Sequence, residues 1–243
     1  MDSVISWIHS NEPDSLKLLF QWQQFLKDNP INQNTIKSID LTTEYPILTD
    51  HEGRKFSIDF IHDRQNYYKK KGSNKTEIIG KAMGSGRLGH SILDLSAGLG
   101  VDSIFLNQLG FNVTALERNP LLYLALNTAQ QKLSEKQKEN IQFYFASANQ
   151  FLVETKKTFD VIYFDPMFPE KKKSALPKQE MVLFRNLVGS DDDAADVIET
   201  VFKTKKAKRL VIKRPIKASL LFEKPQNQIL GKLIRFDVYG VTK

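Results

Sequence analysis

The sequence predicts an α/β protein, a doubly wound and mostly parallel sheet with helices on both faces, preceded by a small N-terminal α+β lobe. Two observations support this fold class. Short, β-rich apolar runs alternate with helical segments from Ser91 onward, whereas the earlier part of the chain shows one amphipathic helix and short alternating segments. We place the boundary between residues 75 and 76, so that the lobe spans 1–75 and the sheet domain spans 76–243.

The N-terminal lobe begins with a predicted helix over residues 14–28, where apolar side chains recur at mostly helical spacing behind Asp14, a possible cap. Over residues 36–60 the pattern changes to short alternating segments, and His51-Glu52-Gly53 predicts a turn between two of them. A short helix is predicted from Thr76. We therefore expect a lobe that contains a hairpin.

The sheet domain contains five runs typical of strands that are buried on both faces: SILDLS, FNVTALE, IQFYFAS, FDVIYFD and RLVIKR. Helices are predicted between them over residues 101–109, 120–138, 149–156 and 192–203. The tail KLIRFDVYGVT alternates as a final strand or an antiparallel pair would. Ligands of such sheets bind at the carboxyl ends of the strands, so we expect the site there.

Composition excludes several classes of protein. The chain has no cysteine, which excludes disulfides, zinc ribbons and thiol nucleophiles. No apolar run approaches the roughly 18 residues that cross a bilayer, and no secretory signal is visible, so we expect a soluble, cytoplasmic protein without membrane contact. The histidines lack acids at metal-ligand spacing, and we expect no metal. The formal net charge of +7 favours a polyanionic partner.

The segment DLSAGLGVD, from Asp94 to Asp102, follows the first strand of the sheet domain and opens a helix. Gly98 and Gly100 allow a tight turn and a close approach of the backbone to a ligand, and the helix N-terminus beyond them carries partial positive charge. Glu117 ends the next strand, where a carboxylate accepts hydrogen bonds from both hydroxyls of a ribose. This arrangement fits nicotinamide cofactors and S-adenosylmethionine (SAM) alike, and a purely structural turn also remains open.

Two features favour SAM over a nicotinamide cofactor. The third glycine of G-x-G-x-x-G is absent, because Ser103 stands at that position. Asp94, at the end of the strand, would repel a diphosphate but can pair with the ammonium group of SAM. We therefore predict SAM as the cofactor.

The fourth strand of the sheet domain ends on Asp165-Pro166-Met167-Phe168. An Asp-Pro pair is also ordinary turn chemistry. Beside a SAM site, the tetrapeptide resembles the (Asn/Asp)-Pro-Pro-(Phe/Tyr/Trp) signature of methyltransferases that act on ring-conjugated amino groups, with Met167 in place of the second proline. The Asp165 carboxylate and the Pro166 carbonyl would accept hydrogen bonds from such an amine, and Phe168 would stack on the base. We expect these three residues to be catalytic.

Three basic runs support a nucleic-acid partner. One directly follows the tetrapeptide, one covers residues 69–71, and KTKKAKRLVIKR covers residues 203–214. Each run alone is typical of a solvated face, but the three together favour contacts with phosphates. The residues that we expect to bind the nucleic-acid backbone beside the site are Lys171, Lys172, Lys173, Lys213 and Arg214.

Several segments together resemble one family. They are LDLSAGLGVDS, ERNP, DPMFPEKKKSALPKQEM, LVGSDDDA and VIKRP. This set resembles the ribosomal small-subunit methyltransferase J family, bacterial 16S rRNA (guanine-N2)-methyltransferases with a Rossmann-like class I SAM-dependent sheet, from about Leu41 to Leu220. The resemblance implies methylation of the exocyclic N2 amine of one guanine in 16S ribosomal RNA, free or within the 30S subunit.

The resemblance also implies cofactor contacts, in addition to those expected for Asp94, Gly98 and Gly100. The residues concerned are Val101, Asp102, Glu117, Arg118, Ser147, Ala148 and Asp165. Members of the family usually have an arginine at the position of Val101 and a second serine or similar residue at that of Ala148. Backbone contacts are compatible with both changes, whereas the side-chain roles at these two positions stay open.

Two alternatives also remain open. An adenine-N6 or other amino-methyltransferase acting on nucleic acid would use the same chemistry on a different base. A non-catalytic RNA-binding module would keep the fold without the reaction, although the presence of Asp94, Glu117 and Asp165 argues against it.

Overall fold

The computed structural model describes residues 5–32, 35–61, 74–84, 90–167, 179–189 and 191–242. The chain divides into two compact units that each draw on separate stretches of sequence. Unit 1 comprises Met1–Asp59, Asn119–Lys132 and Phe168–Ser190, and unit 2 comprises Phe60–Arg118, Leu133–Met167 and Asp191–Lys243. The sequence predicted a lobe of residues 1–75 followed by a sheet domain of residues 76–243, and this division of the chain at one point stays a prediction.

The helices and strands are numbered in chain order. The helices are α1 (Pro13–Asp28), α2 (Asn74–Met83), α3 (Val101–Gln108), α4 (Pro120–Gln130), α5 (Glu135–Lys138), α6 (Ala148–Glu154), α7 (Gln179–Val188) and α8 (Ala194–Thr204). The strands are β1 (Ser6–Ile8), β2 (Ser38–Asp40), β3 (Ile47–Thr49), β4 (Lys55–Phe56), β5 (Ser91–Asp94), β6 (Asn112–Glu117), β7 (Ile141–Phe145), β8 (Phe159–Phe164), β9 (Ala207–Pro215), β10 (Asn227–Leu230) and β11 (Ile234–Gly240).

Unit 1 contains a small sheet in the order β1-β2-β3-β4. β1 runs parallel to β2, and the other neighbours are antiparallel. The β3–β4 hairpin turns at the predicted place, where the Gly53 N–H donates to the Asp50 carbonyl at 3.1 Å and Gly53 adopts a φ of 79°. A hairpin in the N-terminal part of the chain is therefore confirmed. Strand β1 was not predicted, because its three residues are too few to show alternation.

Helix α1 begins one residue before its predicted start. Pro13 is its first residue and Glu12 its N-cap, so Asp14 lies in the first turn and is not the cap. This corrects the prediction, and the physical reason is that proline lacks an N–H and suits the first helical position. The Phe25 ring of α1 lies 5.3 Å from that of Tyr123 on α4.

Helix α7 also belongs to unit 1, and no helix or strand was predicted over its residues.

Unit 2 contains a seven-stranded sheet in the order β10-β11-β9-β8-β5-β6-β7. The five strands from β9 to β7 are parallel, whereas β11 and β10 add an antiparallel pair beside β9. From β5 the chain proceeds to β6 and β7 on one side, and then to β8 and β9 on the other. The predicted α/β fold class is confirmed. Strand order reverses between β5 and β8, which is where ligands bind in such sheets.

One face of this sheet is packed by α6 and α8. Leu93, Ile162 and Leu210 of the central strands lie fully buried in a cluster with Ile198 and Val201 of α8. Because side chains alternate along a strand, Asp94, Tyr163 and Lys213 project to the opposite face, which is the face of α3. The sheet therefore separates an apolar face from a face that carries ionisable groups at its carboxyl edge.

Several predicted helix boundaries differ from the structure: α3 ends at Gln108, α6 ends at Glu154, and α8 spans Ala194–Thr204. The helix predicted over residues 120–138 is two helices, because α4 ends at Gln130 and Ser134, in extended conformation, is the N-cap of α5. The helix predicted from residue 149 begins at Ala148, since the Ser147 side chain caps it.

Among the described residues, no helix is both long enough and apolar enough to cross a membrane.

Truncating Leu210 on β9 tests the buried face. Leu210 is 0% exposed, so Leu210→Ala should lower the free energy of unfolding by about 2–5 kcal/mol, through lost burial and the cavity left behind. The measurement is urea denaturation followed by circular dichroism. Lys208→Ala is the matched control on the same strand, where the side chain is 76% exposed and forms an ion pair with Asp160, and should change stability by at most about 1 kcal/mol. Equal effects of the two substitutions would contradict the packing described.

Candidate active site

Three acids singled out in the sequence lie at the carboxyl edge of the sheet of unit 2. Asp94 is the last residue of β5, Glu117 is the last of β6, and Asp165 directly follows β8. Asp94 pairs in register with Tyr163 on one side and with Ala115 on the other. The strand register therefore brings these carboxylates together on neighbouring strands.

Asp94 is buried and held by two donors. The Ser96 N–H donates to its Oδ1 at 3.0 Å, and the Ser103 hydroxyl donates to its Oδ2. The pKa of Asp94 is raised to about 7, mainly because the carboxyl group is buried. The hydrogen bonds from Ser103 and Ser96 lower this pKa, and the carboxylates of Asp102 and Asp165 raise it. This carboxyl group therefore titrates near neutral pH in the folded protein.

The loop after β5 needs both of its glycines. Gly98 has a φ of 55° and Gly100 a φ of 72°, in the left-handed region where a side chain is strained. The Gly98 N–H donates to Glu117 Oε2 at 2.9 Å, which fixes the buried Glu117 carboxylate at the end of β6. Gly100 is the N-cap of α3, so Val101 and Asp102 occupy its first turn.

Lys213 of β9 lies between two carboxylates. Its Nζ atom is 2.6 Å from Asp102 Oδ2 and 2.7 Å from Asp165 Oδ2. The Tyr163 hydroxyl donates to the same Asp102 oxygen at 2.6 Å. We call these four residues the Lys213 cluster. With its acids and lysine ionised, the cluster has a net charge of −1.

The charges of the Lys213 cluster are set by its members. Burial raises the pKa of Asp165, Lys213 acts in the opposite direction, and Asp102 raises it further. Burial lowers the pKa of Lys213, but the carboxylates of Asp102 and Asp165 more than offset this and raise it above its usual range. Burial also raises the pKa of Tyr163, so the phenol stays neutral and its hydroxyl donates a hydrogen bond to Asp102.

The positions of Lys213 and Arg214 differ from those expected of residues that bind an RNA backbone. The ammonium group of Lys213 is paired within the protein. Arg214 is buried, and its Nη2 donates to the Ser219 carbonyl at 2.7 Å. Because side chains alternate along β9, those of Lys213 and Arg214 project to opposite faces of the sheet. The basic composition of the segment alone does not indicate this difference.

Arg118 is bound to acids rather than placed open to a ligand. Its guanidinium contacts Asp191 at 2.6 Å and Asp193 at 3.1 Å. Asp191 also accepts a hydrogen bond from the Met167 N–H, in the turn after Asp165. Asp193 is the N-cap residue of α8, but its side chain makes no cap hydrogen bond.

Other residues fix the same turn. The Ser96 hydroxyl accepts a hydrogen bond from the Asp165 N–H at 3.0 Å, so the loop after β5 is tied to the turn after β8. The sequence reasoning missed Ser96, Tyr163 and Asp191, because each acts through a partner distant in sequence. Pro166, next to Asp165, is buried.

Ser147 and Ala148 begin α6 after β7. The Ser147 hydroxyl caps the helix by accepting from the Gln150 N–H at 3.4 Å. Asn149, next along the helix, has a buried Oδ1 atom with no hydrogen-bond partner among the described residues. An acceptor of this kind is available to a ligand, and nothing in the sequence alone distinguished it.

Some predicted site residues lie outside the described residues: Phe168, Lys171, Lys172, Lys173 and the lysines at 69–71. Within the part of the chain that is described, no group of three or more histidines and carboxylates is arranged to hold a metal ion.

Replacing Asp94 tests its environment. The pKa of Asp94 is about 7 in the folded protein against 3.8 for an ordinary aspartate, so the native state binds more protons than the unfolded state between these values. Stability is therefore lost through this group as pH rises from about 4 to about 7. Asp94→Asn does not titrate, and it should reduce the fall in melting temperature between pH 5 and pH 8.

Asp50 supplies a control of opposite sign for that experiment. It is also buried, but hydrogen bonds from Arg54 outweigh burial and lower the pKa of Asp50. A lowered pKa stabilises the fold above the usual range of the group and loses this effect in acid, so Asp50→Asn should destabilise the protein at pH 7. If both variants changed the pH dependence in the same direction, the account of Asp94 would be wrong.

Several known proteins are similar to this chain. The chain matches the model of a family described as putative SAM-dependent methyltransferase over residues 24–241. A solved structure of a SAM-dependent methyltransferase from Neisseria gonorrhoeae is similar, with a TM-score of 0.70 and 24% identity over 98% of this chain and 96% of that chain. This likeness shows a shared fold.

Two curated relatives are named ribosomal RNA small subunit methyltransferase J. The protein of Bdellovibrio bacteriovorus is 41% identical, over 96% of this chain and 94% of its own length. The protein of Pseudoalteromonas translucida is 40% identical, over 75% of each chain. The resemblance noted in the sequence is confirmed, and this chain belongs to the ribosomal RNA small subunit methyltransferase J family of SAM-dependent methyltransferases.

Proposed function

We propose that this enzyme transfers the methyl group of SAM to the exocyclic N2 amine of a specific guanine in 16S ribosomal RNA. The names of the relatives specify a methyltransferase and small-subunit ribosomal RNA as its substrate. The guanine and its N2 atom follow from the resemblance of the sequence motifs. The observation that carries the proposal is the position of Asp165, a carboxylate at the reversal of strand order, beside Pro166 and paired with Lys213.

The described residues fit SAM by charge and by shape. SAM carries an ammonium, a sulfonium and one carboxylate, a net charge of +1 that complements the net −1 of the Lys213 cluster. The left-handed glycines 98 and 100 allow close approach of the backbone, and Glu117 presents a fixed carboxylate for ribose hydroxyls. The residues that we assign to this site are Asp94, Gly98, Gly100, Val101, Asp102, Glu117, Ser147, Ala148 and Asp165.

Two further residues refine the assignment. The buried acceptor Oδ1 of Asn149 suits the amino group of an adenine ring. Arg118 has its guanidinium engaged by Asp191 and Asp193, so we assign it the indirect role of holding the turn that carries Asp165.

The residue types at the end of β8 suit an exocyclic ring amine. The lone pair of such an amine is delocalised into the ring, so it is a poor nucleophile unless acceptors hold its N–H groups. An ionised Asp165 and the Pro166 carbonyl supply two acceptors, and Phe168 supplies a face for stacking that is worth about 1–3 kcal/mol. SAM supplies a methyl group already activated by its positive sulfur. Positioning and electrostatics therefore account for the rate.

The substrate class is consistent with the charge of the chain. A net charge of +7 attracts a polyanion, and the lysines at 171–173 directly follow the proposed catalytic turn in sequence. A guanine within a paired region would be turned out of its stack at a cost of a few kcal/mol. Because ribosomal subunits are cytoplasmic, we place the protein in the cytoplasm.

Transfer of labelled methyl tests the proposed reaction. Purified protein is incubated with labelled SAM and either 16S RNA or 30S subunits from cells that lack the gene, and the RNA is digested to nucleosides. We expect the label in N2-methylguanosine. Label in N6-methyladenosine would instead support an adenine methyltransferase, and no label despite measurable SAM binding would exclude ribosomal RNA as the substrate.

Replacing Asp165 tests its role. Asp165→Ala removes the proposed acceptor and should lower the rate of methyl transfer by about 10²–10³-fold, while SAM binding by calorimetry is partly retained. Asp192→Asn is the control, since Asp192 is an exposed acid that makes none of the contacts described, and its rate should equal that of the wild type. An unchanged rate for Asp165→Ala would rule out this role.

A further inference from the structure

We propose that Lys213 is a positioning residue for methyl transfer, which acts by holding Asp165 as a charged acceptor for the amine of the substrate. This inference rests on the proposed role of Asp165 and extends it to a residue that the sequence indicated for a different task. Lys213 itself contacts Asp102 and Asp165.

The sheet fixes where the ammonium group lies. β8 and β9 are parallel neighbours in which Phe164 pairs with Ile212, so Lys213 lies level with Asp165, one residue further along each strand. On its other side Lys213 pairs with Phe236 of β11. A side chain on a strand that is paired on both sides is held more rigidly than one on a loop. Its geometry is therefore set by the sheet.

The electrostatic balance at Asp165 depends on Lys213. Burial and the carboxylates of Asp102 and Asp191 favour the protonated form of Asp165, and Lys213 favours the ionised form. Among the residues that the structure describes, the ionisable groups that act on Asp165 are Lys213, Asp102, Asp191, Tyr163, Asp94 and Arg214. Arg214 adds positive charge from the opposite face of β9, whereas Lys213 is in direct contact. Without Lys213, the remaining acids and the burial favour a neutral Asp165.

A neutral Asp165 would be a poorer acceptor. An ionised carboxylate only accepts hydrogen bonds, whereas a protonated one carries an O–H donor on one of its oxygens. An amine that needs two acceptors would then meet a donor. The ion pair with Lys213 therefore maintains the form of Asp165 that the reaction needs.

The same geometry argues against a phosphate contact by Lys213. Its ammonium group is already paired with two carboxylates, its side chain is 23% exposed, and the cluster has a net negative charge. A phosphate would be repelled by this cluster. Loss of Lys213 should therefore leave the salt dependence of RNA binding unchanged.

The direct test is the titration of Asp165 in the protein without RNA. Aspartate labelled with ¹³C at the carboxyl carbon is incorporated, and the Asp165 resonance is assigned by its loss in Asp165→Asn. In Lys213→Met the midpoint of this titration should move to higher pH. In Lys208→Met, which removes an exposed lysine of the same strand that is paired with Asp160, it should not move. An unchanged midpoint in Lys213→Met would overturn the proposal.

A double variant separates charge from damage to the fold. Lys213→Met alone changes the net charge of the cluster from −1 to −2, and Asp102→Asn in addition restores −1. The midpoint should move back toward the wild-type value in the double variant and in Lys213→Arg, which keeps the cation. If the double variant titrated as Lys213→Met does, the effect would not come from the charge of Lys213 and the proposal would fail.

Kinetics supply a second readout. At pH 7, kcat of Lys213→Met should fall about tenfold and recover in part at pH 9, because activity is lost as pH falls through a raised Asp165 pKa. KM for RNA should change less than about twofold, and the salt slope of binding should be unchanged. One phosphate contact adds about 0.7–0.9 to the slope of the logarithm of the RNA binding constant against the logarithm of the salt concentration. If Lys213→Met raised KM and reduced this slope by that amount, Lys213 would contact a phosphate and the proposal would be refuted.

The outcomes distinguish this inference from the function on which it rests. If wild-type protein methylated no ribosomal RNA, the proposed substrate would fail, while the titration of Asp165 would still measure its coupling to Lys213. If wild-type protein methylated guanine but the midpoint did not move in Lys213→Met, only the role of Lys213 would fail.

Discussion

The ion pairs of Lys213 with Asp102 and Asp165 are the contacts on which the carboxyl edge of the sheet depends. They join residues that are 111 and 48 positions apart in sequence, and they allow two acids to lie close together in a partly buried site. Without the ammonium group, the acids would repel each other and one would take up a proton. The Lys213 cluster thus keeps one excess negative charge, which suits a cofactor with two positive centres.

A second set of contacts holds the turn that presents Asp165. The Ser96 hydroxyl, in the loop after β5, accepts a hydrogen bond from the Asp165 N–H. Arg118 orients Asp191, whose carboxylate accepts a hydrogen bond from the Met167 N–H. The turn is therefore fixed on both sides of Pro166. The role proposed for Asp165, to hold a ring amine, needs such support, because a displacement of about 1 Å costs much of the rate of an oriented reaction.

The sequence predicted what depends on local pattern. The apolar runs located the parallel strands, and Asp94, Glu117 and Asp165 could be placed at one edge because parallel strands end together. The roles of Lys213, Asp191 and Tyr163 could not be predicted, since they depend on which strand lies beside which and on the face to which a side chain projects. The break between α4 and α5 was missed because Leu133 and Ser134 continue an acceptable helical pattern.

The most direct test of the account is a crystal structure with S-adenosylhomocysteine, the product that remains after methyl transfer. We expect this molecule at the carboxyl edge of unit 2, with its ribose at Glu117, its amino-acid group beside Asp102, and Lys213 still in contact with Asp165. A complex in which the molecule lies away from this edge, or in which Lys213 has left both carboxylates, would contradict the account.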